Sequence, residues 1–135
     1  MDIANTCTTI INEDLQDVLG VWIFGSVASG LDVADSDIDL AVLSTDKIDK
    51  VRLWKCSQRI ASAVRREVDL VDLIDASTVM RSQIVQSGKR IYCADNFICD
   101  KFETEALTDY LRFNEERREI LEDIKSRGRV LGTDG

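Results

Sequence analysis

The sequence contains no histidine and no proline, and its basic residues are outnumbered by acidic ones. Without histidine, the chain can form neither a histidine-ligated zinc site nor a Ser-His-Asp triad, so carboxylates are the obvious general bases. The 17 lysines and arginines against 25 aspartates and glutamates give a formal net charge of −8. Because affinity for a phosphate backbone comes from lysine and arginine, we expect no direct nucleic-acid binding. The acidic balance fits a basic protein partner better.

Long apolar runs are missing as well. No segment approaches the roughly 18 apolar residues that a membrane span needs, and the N-terminus, with Asp2 and no basic flank, lacks the pattern of a secretory signal. We therefore expect a cytoplasmic protein that does not contact membranes. A length of 135 residues with 44% hydrophobic content predicts one globular domain over residues 1–135.

The four cysteines contain no C-x-x-C pair and are widely spread, at Cys7, Cys56, Cys93 and Cys99. Buried, reduced thiols are the default for such residues. Neither a zinc site nor a disulfide framework is predicted.

The most informative stretch is residues 21–43, VWIFGSVASGLDVADSDIDLAVL. It opens with an apolar run, residues 21–24, that predicts a buried strand. Gly25 ends the run and would let the backbone approach a ligand closely. Ser26 would offer a hydroxyl and an N–H at the start of a short helix, where an anion is favoured.

Two acids one residue apart, Asp37 and Asp39, lead into a second predicted strand at residues 40–43. Side chains alternate along a strand, so both carboxylates project from one face about 7 Å apart and repel each other unless a cation lies between them. Carboxylates suit Mg²⁺ or Mn²⁺, often together with substrate phosphates. Two alternatives remain: a solvated acidic turn, and a calcium loop from Asp35 whose sixth position would be Leu40 instead of glycine.

Gly25-Ser26, ten intervening residues and Asp37-x-Asp39 together resemble the signature of the DNA polymerase β-like nucleotidyltransferase superfamily. Within it, the chain most resembles the minimal nucleotidyltransferase (MNT) domains, including MntA-type antitoxins paired with HEPN toxins. The resemblance implies an α/β (α+β) fold, with a small mixed sheet of about four strands flanked by helices and a long C-terminal helix. It also implies that Asp37 and Asp39 are catalytic metal ligands, and that Gly25, Ser26 and Ser36 contact the nucleotide.

The family also needs a third carboxylate, on the strand predicted at residues 67–74. Asp69 and Asp72 have opposite parity, so they cannot both point at the site. We select Asp69, because its V-D-L-V setting resembles the family. It would complete the second metal site and take or orient the acceptor proton. Asp72 is expected to be a loop-facing acid or a helix-capping partner.

One position departs from the family pattern, since Ser29 stands where members commonly have arginine. The missing charge removes part of the expected phosphate or structural anchoring but leaves the metal ligands in place. Whether it reduces activity stays open.

The other elements follow from hydrophobic periodicity. We predict helices over residues 4–19, 47–65, 76–87 (N-capped by Asp75) and about 100–127, and a short edge strand at residues 90–93.

The resemblance implies transfer of AMP from ATP to a hydroxyl, with two divalent ions, Mg²⁺ or Mn²⁺, and loss of pyrophosphate. In MntA-type systems the acceptor is a tyrosine of the partner HEPN ribonuclease toxin. We expect the same here, because the chain is small and acidic and its predicted C-terminal helix carries two apolar stripes. The alternatives are an antitoxin that neutralises its partner by binding and occlusion, and a small-molecule nucleotidyltransferase.

Overall fold

The computed structural model describes residues 2–25 and 37–132, with side chains up to residue 128. These residues form four helices and four strands, in the order α1 (Ile3–Asp14), β1 (Val18–Phe24), β2 (Ile38–Ser44), α2 (Lys50–Val64), β3 (Val68–Asp72), α3 (Thr78–Ser87), β4 (Lys89–Cys93) and α4 (Asn96–Gly132). The predicted four-stranded sheet with flanking helices and a long C-terminal helix is confirmed.

The strands form one mixed sheet in the order β3-β2-β1-β4. β1 is antiparallel to both β2 and β4, whereas β2 and β3 are parallel and are joined by the crossover helix α2. The C-terminal end of β1 therefore lies beside the N-terminal ends of β2 and β3. The predicted acids lie at this end of the sheet.

Helices cover both faces of the sheet. On one face, α1 and α2 pack against alternate strand residues in a cluster that includes Ile11, Leu40 and Ile60. On the other face, α3 and the start of α4 pack against a second cluster that includes Trp22 and Ala41. Because side chains alternate along strands, each residue's parity decides which cluster it joins.

Helix α4 is longer than predicted, and only its beginning packs on the sheet. Cys99 and Ala106 are buried, and the ring of Phe102 lies 5.5 Å from that of Trp22. The later part of the helix exposes large apolar side chains: Leu111, Phe113, Ile120, Leu121 and Ile124. No helix within the described ranges combines the length and apolar character required to cross a bilayer.

The first predicted helix extended too far. Helix α1 ends at Asp14, and its C-cap Leu15 is already extended. β1 therefore starts at Val18, three residues before the predicted strand. Apolar residues at helical spacing, such as Val18 and Leu19, fit a buried strand equally well, so periodicity could not separate the two elements.

The predicted cap of the third helix was also wrong. Ser77 caps α3, accepting a hydrogen bond of 3.1 Å from the Met80 N–H. Asp75 instead forms an exposed ion pair of 3.0 Å with Lys47. Aspartate and serine both favour N-cap positions, so the sequence alone could not decide between Asp75 and Ser77.

The expectation for the cysteines is half right. Cys7 and Cys56 are buried and unlinked, and burial raises the pKa of Cys7 to about 11 and that of Cys56 to about 12. Cys93 and Cys99 form a disulfide, contrary to the prediction of reduced thiols. The tight connection from β4 to α4 brings their Cα atoms within 6.5 Å, and the bare spacing of six residues did not reveal it.

Asp72 anchors the connection between β2 and α2. It is 6% exposed and accepts hydrogen bonds from the backbone N–H groups of Ile48, at 2.8 Å, and Ile74, at 3.0 Å. The side chain thus holds two loops together, and its opposite parity directs it away from Asp69. This is the loop-facing alternative expected for Asp72.

Replacement of Asp72 by alanine should lower the free energy of unfolding by about 3 kcal/mol, because two backbone donors then lack their partner. Urea denaturation followed by circular dichroism measures the loss. Asp75→Ala is the matched control, since it removes an exposed acid three residues away and should shift the midpoint little. Equal midpoints for the two variants would contradict the anchoring role.

Candidate active site

Gly25 brings the backbone after β1 against the carboxylate of Asp39. Its φ of +75° lies in the left-handed region that favours glycine. A Cβ at this position would collide with Asp39 Oδ2. Both constraints exclude a side chain, and within the described residues the group that the Gly25 backbone approaches is a carboxylate. The predicted approach of this backbone to a ligand stays a prediction.

The register of the sheet aligns Asp39 with Asp69. The two are direct partners in the parallel β2–β3 ladder. Asp39 shares the parity of Ala41, and Asp69 that of Val71, and both Ala41 and Val71 belong to the cluster under α3 and α4. The two carboxylates therefore lie side by side on the same face.

The charges of these acids are coupled. Asp39 is half-buried, and the pKa of its carboxyl is raised, first by burial and then by the neighbouring charges of Asp69 and Asp37. Asp37 and Asp69 are themselves exposed. The structure thus brings Asp37 and Asp69 each within electrostatic reach of Asp39.

A divalent cation fits this donor set in a limited sense. Burial, and then the neighbouring charges of Asp69 and Asp37, disfavour the ionised form of Asp39, and a bound cation would offset both effects. Yet no group of three or more candidate ligands within the described ranges is close enough together to hold a metal ion unaided. Magnesium is often bound by one or two carboxylates plus substrate phosphates. The acids therefore fit an ion that arrives with a triphosphate, better than a resident one.

Three residues considered from the sequence, Ser26, Ser29 and Ser36, lie outside the described residues. Their predicted roles, nucleotide contact for Ser26 and Ser36 and a lost anchor at Ser29, remain predictions.

Sequence reasoning missed Trp54. This residue is 62% exposed, and it lines a groove that Asp69 also lines. The signal was its position one residue off the inward stripe of α2, which runs through Leu53, Cys56 and Ile60. A large aromatic residue off the stripe is more costly to expose than a charged one, which marks it as a candidate contact residue.

The family Polymerase beta, Nucleotidyltransferase matches residues 5–97, which include the end of β1, both acids before and within β2, and Asp69. The chain belongs to this nucleotidyltransferase family.

Individual relatives are more specific. The chain is 32% identical over 120 residues to the protein adenylyltransferase MntA of Shewanella oneidensis, covering 89% of this chain and 86% of that protein. It is similar to a crystal structure of a toxin–antitoxin with AMP-PNP, at 32% identity and a TM-score of 0.81, covering 90% of this chain and 98% of that one. It is also similar to a structure of tri-AMPylated Shewanella oneidensis HEPN toxin in complex with MNT antitoxin, at 30% identity and a TM-score of 0.77, covering 91% and 96%.

Replacing Asp39 by asparagine should stabilise the protein at neutral pH. Because the folded-state pKa of Asp39 is raised above its ordinary value of 3.8, its ionised form opposes folding. The opposition is complete above the folded pKa and disappears below the unfolded one, where the carboxyl is protonated in both states. The gain from Asp39→Asn should therefore shrink as the pH falls towards about 4.

Thermal unfolding of the two proteins at a series of pH values, without divalent ions, measures this difference. A gain in melting temperature that stays constant down to acidic pH would mean that the cost of ionising Asp39, from burial and from the neighbouring charges, is not its source.

Proposed function

We propose that this chain is a Mg²⁺- or Mn²⁺-dependent adenylyltransferase that transfers AMP from ATP to a tyrosine hydroxyl of a partner HEPN toxin, and thereby acts as the antitoxin. The observation that carries the proposal is the alignment of Asp39 with Asp69 beside the Gly25 turn. It occurs in a nucleotidyltransferase chain whose relative is a protein adenylyltransferase.

In the proposed reaction, the acceptor oxygen forms a bond to the α-phosphorus of ATP. The bond from that phosphorus to the bridging oxygen of the β-phosphate breaks, and pyrophosphate leaves. Asp69 accepts or orients the proton of the attacking hydroxyl. Asp37 and Asp39, with Asp69, would hold two divalent ions, which when bound neutralise charge on the attacking and leaving oxygens.

The Gly25 turn would position the phosphates. It brings backbone to the site without an intervening side chain, and Ser26 and Ser36 would add polar contacts. Holding the triphosphate in line with the acceptor supplies a large part of the rate of such a transfer.

Helix α4 supports a protein as the acceptor. Beyond Ala106 it exposes five large apolar side chains, Leu111, Phe113, Ile120, Leu121 and Ile124. Phe113, Ile120 and Leu121 line one shallow apolar depression on this helix, and exposed apolar surface of this kind marks protein–protein contact. Two of the similar structures are toxin–antitoxin assemblies. We propose that the present chain acts as one domain, in the cytoplasm, on a comparable partner.

Incubation of the wild-type chain with ATP, Mg²⁺ and the HEPN-class protein encoded beside it should add adenylyl mass to that protein. Asp37→Asn and Asp39→Asn should each slow the transfer by about 100-fold or more, because each removes a carboxylate charge that would hold the divalent ions. Intact-mass spectrometry over time measures the rates. Asp46→Asn, an exposed acid outside the site, is the matched control and should retain activity.

The same variants separate catalysis from occlusion. If wild type adds no adenylyl group, or if Asp37→Asn and Asp39→Asn neutralise the toxin's ribonuclease activity as well as wild type does, neutralisation rests on binding and the catalytic proposal is wrong.

A further inference from the structure

The open edge of β3 is the starting point. β3 is the last strand of the sheet and pairs only with β2 among the described strands. The Ile38 N–H donates to the Glu67 carbonyl at 2.9 Å, and the Leu73 N–H to the Val42 carbonyl at 3.0 Å. Since backbone groups alternate along a parallel strand, Val68 and Leu70 direct their N–H and C=O groups away from β2, towards the open edge.

Helix α2 forms a wall along this edge. Between them lies a groove of about 320 Å³, lined by Lys50, Leu53, Trp54, Ser57, Gln58, Val68, Asp69 and Leu70. We call it the edge groove. A second cavity of about 440 Å³ continues it along the helix and shares Gln58 and Val68. The result is an elongated cleft with a backbone ladder on one side and the exposed Trp54 on the other.

Charge does not select the occupant of this groove. Of the basic residues on α2, only Lys50 lines the edge groove, which Asp69 lines as well. Arg52 and Lys55 line a separate cavity on the side of α1, and Arg59 is engaged by acids of α1. The open backbone groups of β3 and the exposed Trp54 therefore determine what the groove binds.

The edge groove also lies on the correct side of the acids. In the order β3-β2-β1, Asp69 and Gly25 flank Asp39 on opposite sides. Phosphoryl transfer needs the attacking and leaving oxygens on opposite sides of phosphorus. If the Gly25 side takes the outer phosphates, the acceptor hydroxyl must enter past Asp69, which lines the edge groove. The Asp69 carboxylate projects from the sheet face opposite α2, so a strand added on β3 would present alternate side chains to α2 and to Asp69.

From these observations we infer that the edge groove binds the acceptor segment of the partner protein as an added strand on β3. The occupant is an extended segment of that partner whose apolar or aromatic side chain packs on Trp54 and whose hydroxyl-bearing residue reaches Asp69. Backbone hydrogen bonds to Val68 and Leu70 set its register, and the Trp54 pocket adds specificity. This inference rests on the proposed transfer to a protein hydroxyl.

Steady-state transfer to the neighbouring HEPN-class protein tests the role of Trp54. Trp54→Ala should raise the KM for that acceptor about 10-fold or more, as loss of a central aromatic contact does at interfaces, and leave the KM for ATP unchanged. Trp54→Phe should restore most of the loss. The matched control is Phe97→Ala, which removes a 73% exposed aromatic at the start of α4, next to the opposite edge strand.

The outcomes separate the two proposals. No transfer by wild type would overturn the proposed function, and with it the reason for an acceptor groove. Transfer by wild type with equal acceptor KM values for Trp54→Ala and Phe97→Ala would overturn the edge groove alone. A rise in both KM values for Trp54→Ala would mean general damage to the site, and would also overturn it.

Amide hydrogen exchange by NMR tests strand addition directly and needs no substitution. In the complete chain alone, the Val68 and Leu70 amides should exchange quickly, because they face the open edge. In the complex with the HEPN-class protein, both should slow at least 10-fold, while the Asp69 amide, already directed towards β2, changes less. Unchanged exchange at Val68 and Leu70 in a formed complex would overturn strand addition.

Discussion

The alignment of two carboxylates in the β2–β3 ladder is the constraint on which the candidate site depends. The β2–β3 ladder holds Asp39 opposite Asp69, and its register is determined by apolar neighbours on both faces of the sheet. A slip by one residue would turn Asp69 towards the buried cluster under α1 and α2 and would expose Leu70. The packing of the sheet therefore holds Asp39 in a place where its ionised form is disfavoured, as the raised pKa of its carboxyl shows. Burial and the neighbouring charges both disfavour the ionised form of Asp39, and perturbed carboxylates of this kind cluster at functional sites.

Strand β3 carries two aspartates with different roles: one belongs to the candidate site and the other stabilises the neighbouring loops. Asp69 faces the acids and is exposed, whereas Asp72 faces inward and binds the N–H groups of Ile48 and Ile74. The Ile48 bond places the loop that starts α2, and α2 in turn forms the wall of the edge groove. β3 thus places the Asp69 carboxylate at the candidate site on one face. Through Asp72 on the other face, it positions α2 and therefore the edge groove. Parity alone separates these roles.

Features that depend on residue type and on side-chain alternation could be predicted from the sequence. Features that depend on tertiary contacts could not. The glycine turn and the two acids before and within β2 follow from residue type and spacing, and the opposite directions of Asp69 and Asp72 follow from alternation. The end of α1 did not, because Val18 and Leu19 satisfy helix and strand patterns alike. The Cys93–Cys99 disulfide depends on how tightly β4 turns into α4. The exposure of Trp54 depends on β3 having no outer neighbour among the described strands.

The chain presents a protein partner with two different surfaces, and their chemistry suits different tasks. The exposed apolar residues of α4 offer buried area, which supplies affinity without fixing where a particular hydroxyl lies. The edge groove offers directional backbone groups next to Asp69, which position a segment but bury less. Once the partner is bound through α4, binding of its acceptor segment to the edge groove becomes intramolecular. That segment would then be held near the acids at high effective concentration. On this account, binding through α4 alone yields neutralisation by occlusion, and engagement of the edge groove is what converts a bound partner into a substrate.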